Sequence, residues 1–119
     1  MRRRRLPLIT LAIALSGCGV TISAINARPD RYYEHKVTFE GQVERMQFLA
    51  HETLLELSDP RGARIIVRST EPVDVKTGDW VKVKGVLVPE ARVENVPLYD
   101  VISAERVQKT RAPRLANLM

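Results

Sequence analysis

From Val37 onward the apolar residues fall on every second position, a spacing that lets a chain bury one side of an extended strand and no continuous helical face. Val37, Phe39, Gly41 and Val43 alternate with Thr38, Glu40, Gln42 and Glu44, which predicts a half-buried strand with an acidic outer side. Gly41 in its middle predicts a bulge or a sharp bend. Met46, Phe48 and Leu49 carry the apolar pattern to a loop at Ala50-His51-Glu52.

The same period returns four times. Thr53–Ser58 is a second strand, closed by the turn sequence Asp59-Pro60-Arg61-Gly62. A third, Ala63–Ser69, sets Ile65 and Val67 against Arg64, Ile66 and Arg68. Residues 71–77 form a short connection with no helix of useful length. Gly78-Asp79 opens a fourth strand, with Val81, Val83, Gly85 and Leu87 on one side and Trp80, Lys82, Lys84 and Val86 on the other. Pro89–Pro97 reads as a polar excursion, Tyr99–Val107 as a fifth strand, and residues 109–119 as a frayed basic tail. Ahead of the strands lies a short helical candidate capped by Ser23, with Ile22 and Ile25 on its apolar side and Pro29 at its end. Five short strands with polar turns predict an all-β chain, a small closed barrel with a short N-terminal helix. Closure removes the edges that five strands would otherwise expose.

These stretches resemble the OB-fold family, and within it the small bacterial proteins of the anticodon-binding-like type. The resemblance is carried by residues 37–43 (Val-Thr-Phe-Glu-Gly-Gln-Val), by Leu57-Ser-Asp-Pro-Arg-Gly62 leading into Ile65-Ile-Val67, and by Gly78-Asp-Trp-Val-Lys-Val-Lys-Gly85. It covers about residues 21–107. It implies a ligand face across strands 2 and 3 and the loops joining strands 1–2 and 4–5, a face that binds oligonucleotides or oligosaccharides in many members.

The first eighteen residues set the location. Arg2–Arg5 form a charged start, and Leu6–Leu15 an apolar run of about ten residues, about 15 Å as helix against a hydrocarbon core of about 30 Å. That is too short to span and fits a cleaved signal. The run ends in Leu15-Ser16-Gly17-Cys18, which resembles the processing box of bacterial lipoproteins. The resemblance implies cleavage before Cys18 and diacylation of its thiol; the alternative is a signal peptide with an incidental cysteine. Two or three acyl chains hold firmly where one does not, so the expected membrane contact is through acyl chains on Cys18. Gly19, where Asp commonly marks inner-membrane retention, implies an outer-membrane anchor facing the periplasm. The expected division is signal peptide 1–17, lipidated N-terminus and helix 18–36, barrel 37–108 and tail 109–119.

Charge argues against a strongly cationic nucleic-acid binder. The chain has 19 Lys+Arg and 14 Asp+Glu. Arg2–Arg5 account for four of the bases and Lys109, Arg111 and Arg114 for three, leaving 12 bases against 14 acids over residues 18–108. Single strands are gripped by aromatic platforms in a basic groove, and the outer side of strands 2 and 3 offers Leu54, Glu56, Arg64, Ile66 and Arg68 without an aromatic. Arg64 and Arg68 are candidate ligand contacts, or else partners of Glu40, Glu44 or Glu56 across strands. Trp80, Lys82 and Lys84 make a second candidate stripe, or else a solvated wall. Nucleic acid is therefore a secondary partner, behind an unidentified envelope protein or polymer.

No catalytic set is expected. His35 and His51 are the two histidines and neither has metal-ligand spacing. No nucleophile triad, phosphate-cradling loop or paired carboxylate motif occurs. Envelope OB-folds also serve cytochrome maturation, but that chemistry wants a histidine near the end of the barrel and none follows His51. No cofactor is expected.

Overall fold

In the computed structural model, which describes residues 19–113, the five alternating segments become five strands: β1 (Lys36–Phe48), β2 (Thr53–Ser58), β3 (Arg64–Ser69), β4 (Trp80–Val93) and β5 (Val96–Thr110). They close in the order β1-β2-β3-β5-β4, with β4 returning to β1. All pairs are antiparallel except β3 with β5. The chain is thus the OB-fold-like five-stranded barrel with a small helix that its alternation predicts. The signal segment, Cys18 and residues 114–119 lie outside the described residues.

The inward positions form one core. Val37, Phe39, Val43, Leu55, Leu57, Ile65, Val67, Val81, Val83, Leu87 and Ile102 are buried inside the barrel wall. One end is plugged by helix α1 (Ile22–Ala27), whose Ile22 and Ile25 are 0% and 1% exposed. A helix this short is marginal by itself; burial of those two side chains holds it.

Four expectations need correction. The cap of α1 is Thr21, whose hydroxyl oxygen accepts from Ala24 N–H, and not Ser23. Ser23 is instead engaged with Asp59 across the barrel end. Gly41 is not a bulge: the register of β1 shifts between Val43 and Arg45. What Gly41 supplies is space, because a Cβ there would lie 3.0 Å from Ile22 Cδ1 and 3.1 Å from Ser58 O.

The segment Pro89–Pro97 is not a loop excursion. It is the end of a long β4–β5 hairpin that turns at Glu94 and Asn95, with φ of 50° and 69°. Two consecutive left-handed residues are what a tight two-residue hairpin requires. The prolines are tolerated because β1 stops pairing with β4 at Val86, and β3 pairs with β5 only from Val101 onward. Beyond those points each hairpin strand has one neighbour and a free edge, where a missing N–H breaks no ladder. The tail likewise starts later than expected. β5 continues to Thr110, and Lys109 pairs with Val81 in the ladder while its ammonium lies 3.8 Å from Asp79.

Candidate functional site

The shift at Glu44 decides which β1 side chains reach the outer wall. Before it the odd positions point inward; after it Met46 faces the core, and Arg45 and Gln47 point out. The ladder then lines up Arg45, Glu56 and Ile66 in one outward row, and Gln47, Leu54 and Arg68 in the next. Between these rows lies a groove of about 280 Å³ lined by Arg45, Met46, Gln47, Leu54, Leu55, Glu56 and Ile66. It sits on the face that the OB-fold resemblance implies.

The arginines on this face have partners, though not all those expected. Glu56 lies between Arg45 (3.2 Å) and Arg64 (3.9 Å). Arg68 pairs with Glu52 at 2.8 Å, their side chains 26% and 12% exposed, so this pair is partly shielded from water. Glu44 is occupied by the Ser58 hydroxyl, which donates to it. Arg64, 60% exposed and held only at the edge of ion-pair distance, is the more available cation.

Two aromatics of the barrel are exposed. Phe48, at the end of β1, is 71% exposed and Tyr99, on β5, is 66% exposed. Phe48 lies one register row beyond Gln47 and Leu54, paired with buried Thr53 and so on the other side of the sheet from them. Tyr99 lies on the β4–β5 arm opposite Glu90, before the point at which β5 meets β3. The outer side of β2 and β3 has no aromatic of its own, as expected, and neither exposed ring is among the residues that line the groove. Val93-Glu94-Asn95-Val96 is a short turn between alternating segments, and it brings Tyr99 back along β4.

Trp80, Lys82 and Lys84 stand elsewhere. Their outward neighbours are Gln42, Glu40 and Thr38 on β1 and Thr110, Gln108 and Arg106 on β5. Because β5 separates β4 from β3, this wall is distinct from the groove, and the five candidate contacts do not converge on one site. Lys82 and Lys84 are exposed; Trp80 is half-buried. His35 and His51 are both exposed, one just before β1 and the other just after it. Among the described residues no three His, Cys, Asp or Glu side chains assemble as a metal cluster, and no helix is long and apolar enough to cross a membrane.

The one carboxyl buried at the barrel end is Asp59, 7% exposed. Burial alone would raise its pKa. Hydrogen bonds from the Ser23 hydroxyl and from the Ala63, Ser23 and Arg61 N–H groups outweigh that and hold it below the ordinary carboxylate value. It is fully satisfied and structural. Tyr33 donates its hydroxyl to Asp100, a bond that, followed by desolvation and the carboxylate's charge, keeps the phenol above its usual range.

No protein-family model matches the chain, and no curated protein matches it. Solved structures do resemble it. Asparaginyl-tRNA synthetase from Pyrococcus horikoshii superposes with a TM-score of 0.58 at 15% identity, over 81% of this chain and 24% of the synthetase. The telomere capping protein Ten1 from Saccharomyces pombe gives 0.55 at 17%, over 83% of this chain and 86% of Ten1. An OBody bound to hen egg-white lysozyme gives 0.51 at 14%, over 69% and 85%. The chain therefore spans about a quarter of the synthetase and most of the two smaller proteins. At such identities the likeness is one of fold, and the fold is the OB-fold-like barrel.

Proposed function

We propose that this chain is a lipid-anchored, non-catalytic binding or scaffold module of the bacterial envelope, held on the outer membrane facing the periplasm by acyl chains on Cys18. The observation that carries this reading is the junction at Cys18. The box Leu15-Ser16-Gly17-Cys18 is followed at once by residues the fold uses: Val20 N–H donates to Thr38 O at 2.9 Å, and Ile22 is fully buried. Processing before Cys18 leaves all of the barrel and its plug intact. The barrel wall then offers its surfaces to an envelope protein or polymer. A binding module with this fold has a parallel in the OBody seated on lysozyme.

The test is fractionation of the full chain produced in a Gram-negative host. The wild type should stay in the membrane pellet through a carbonate wash, and Cys18→Ala should leave it. A wild type that washes off, or a Cys18→Ala chain that remains, overturns the anchor.

A second reading is supported by the groove on the outer side of β2 and β3: a single strand of nucleic acid with Arg45, Arg64 and Arg68 along its path and the exposed rings of Phe48 and Tyr99 as candidate stacking contacts. Base–aromatic stacking is worth about 1–3 kcal/mol per base. Glu52 and Glu56 oppose it, since they occupy the arginines and repel phosphate.

A further inference from the structure

The wall opposite the groove carries a charge arrangement that the fold does not need. Lys84 and Arg106 are direct ladder partners on β4 and β5, and like charges facing one another across a sheet weaken it. Thr38, on the other side of Lys84, is neutral. Lys82 stands two residues along the same stripe. Among the described residues Lys82, Lys84 and Arg106 make no ion pair, whereas Lys36 on the same wall is paired with Glu105 at 3.2 Å. Three exposed cations outside any ion pair, with Glu40 and the Lys36-paired Glu105 as the carboxylates of the wall, give it a positive excess open to an external anion.

The chain's own start says which anion. Gly19 is in the left-handed region, φ 73°, and a Cβ on it would lie 2.9 Å from Thr38 O, so the segment runs hard against β1. Val20 N–H then fastens it to the same carbonyl. Cys18 is one peptide from Gly19, about 3.8 Å between Cα atoms. Neighbouring strands are about 4.8 Å apart, so Lys84 and Arg106 lie about 5 and 10 Å from Thr38 across the wall. Those distances are comparable to the Debye length of about 8 Å at physiological ionic strength.

Resting on the reading of Cys18 as the lipid site, we propose that the outer wall formed by Lys82, Lys84 and Arg106 is a docking surface for the anionic phospholipid head groups of the bilayer that holds the anchor. The anchor sets the barrel beside the bilayer with no slack, and the three cations fix which wall faces it. Trp80 ends the stripe, with an amphipathic ring suited to an interfacial position.

The full-length lipidated protein, reconstituted in vesicles of phosphatidylcholine with or without phosphatidylglycerol, tests this by lysine labelling with a water-soluble acylating reagent. Lys82 and Lys84 should be protected about fivefold or more in the anionic vesicles relative to the neutral ones, normalised to Lys76 on the loop before β4. Arg106→Glu should reduce that anionic-to-neutral ratio. So should ten Gly/Ser residues inserted between Gly19 and Val20, which extend the tether by about 18 Å, with flotation unchanged. Equal labelling in both vesicles while the protein still floats overturns the docking surface alone. Failure to float with either vesicle overturns the anchor and the docking with it. Protection by a single-stranded oligonucleotide but not by anionic vesicles reassigns the wall to nucleic acid.

Discussion

Asp59 accepts two hydrogen bonds from a single residue 36 positions earlier, one from the backbone N–H of Ser23 at 3.0 Å and one from its hydroxyl. Its other oxygen accepts from Arg61 and Ala63 N–H and so shapes the turn between β2 and β3. One side chain therefore ties the helical plug to the barrel and sets a hairpin. Its removal should cost about 2–3 kcal/mol, read as a lower midpoint for Asp59→Ala in urea unfolding.

The same carboxylate gives the domain an acid limit. Its folded pKa lies below the ordinary value of about 3.9, so its stabilisation is complete above pH about 4. That stabilisation fades as pH falls through the folded value. The Tm gap between the wild type and Asp59→Asn should accordingly be constant near neutrality and narrow below pH about 4. A gap that widens with acid would show that Asp59 does not carry the effect.

Gly41 and Ile22 share one small volume. Gly41→Ala places a methyl 3.0 Å from Ile22 Cδ1 and close to the backbone of Ser58, an overpacking expected to cost about 1–3 kcal/mol. Shortening the opposing side chain with Ile22→Val should recover part of that loss. A thermal-denaturation cycle checks it: the double variant should be more stable than the sum of the single losses predicts.

The hairpin tip is occupied by residues that strain it. Glu94 and Asn95 both adopt left-handed conformations, and Glu is poorly suited to them. Glu94→Asn combined with Asn95→Gly should raise stability by about 0.5–1 kcal/mol, visible as a higher Tm with the barrel's circular-dichroism spectrum unchanged.

Phe48 and Tyr99 are exposed, so replacing either with Ala should leave the unfolding free energy within about 0.5 kcal/mol of wild type. If the groove takes single-stranded nucleic acid, fluorescence anisotropy should show weakened binding in both variants and a steep loss with salt. Unchanged affinity in both would remove these rings from that role.

The strand pattern was legible because period-two alternation is a local property. Val81, Val83 and Leu87, or Ile65 and Val67, declare their side with no knowledge of their neighbours. The β4–β5 arm was hidden because proline normally ends a strand, and only the closed topology reveals that Pro89 and Pro97 lie where a partner strand is missing. Arg45 and Gln47 were missed for a related reason. A one-residue shift at Glu44 reverses which side of β1 is outward, and its trace in the sequence, the change from odd apolar positions (Val37, Phe39, Val43) to even ones (Met46, Phe48), is only two residues long. The pairing of Arg68 with Glu52 in place of Glu40 or Glu44 depends on register, which a single strand does not carry.

The ring of strands is fastened unevenly. β4 and β5 pair from Trp80 with Thr110 to Val93 with Val96, whereas β3 meets β5 only through Ile66–Arg68 and Val101–Ser103. That short parallel seam works as a clasp. It joins parts of the chain about 35 residues apart, and with three paired residues on each strand it is the shortest ladder of the ring. Amide hydrogens there should exchange through partial opening well before those of the β4–β5 ladder, so the molecule breathes as a curled sheet that unlatches at one place.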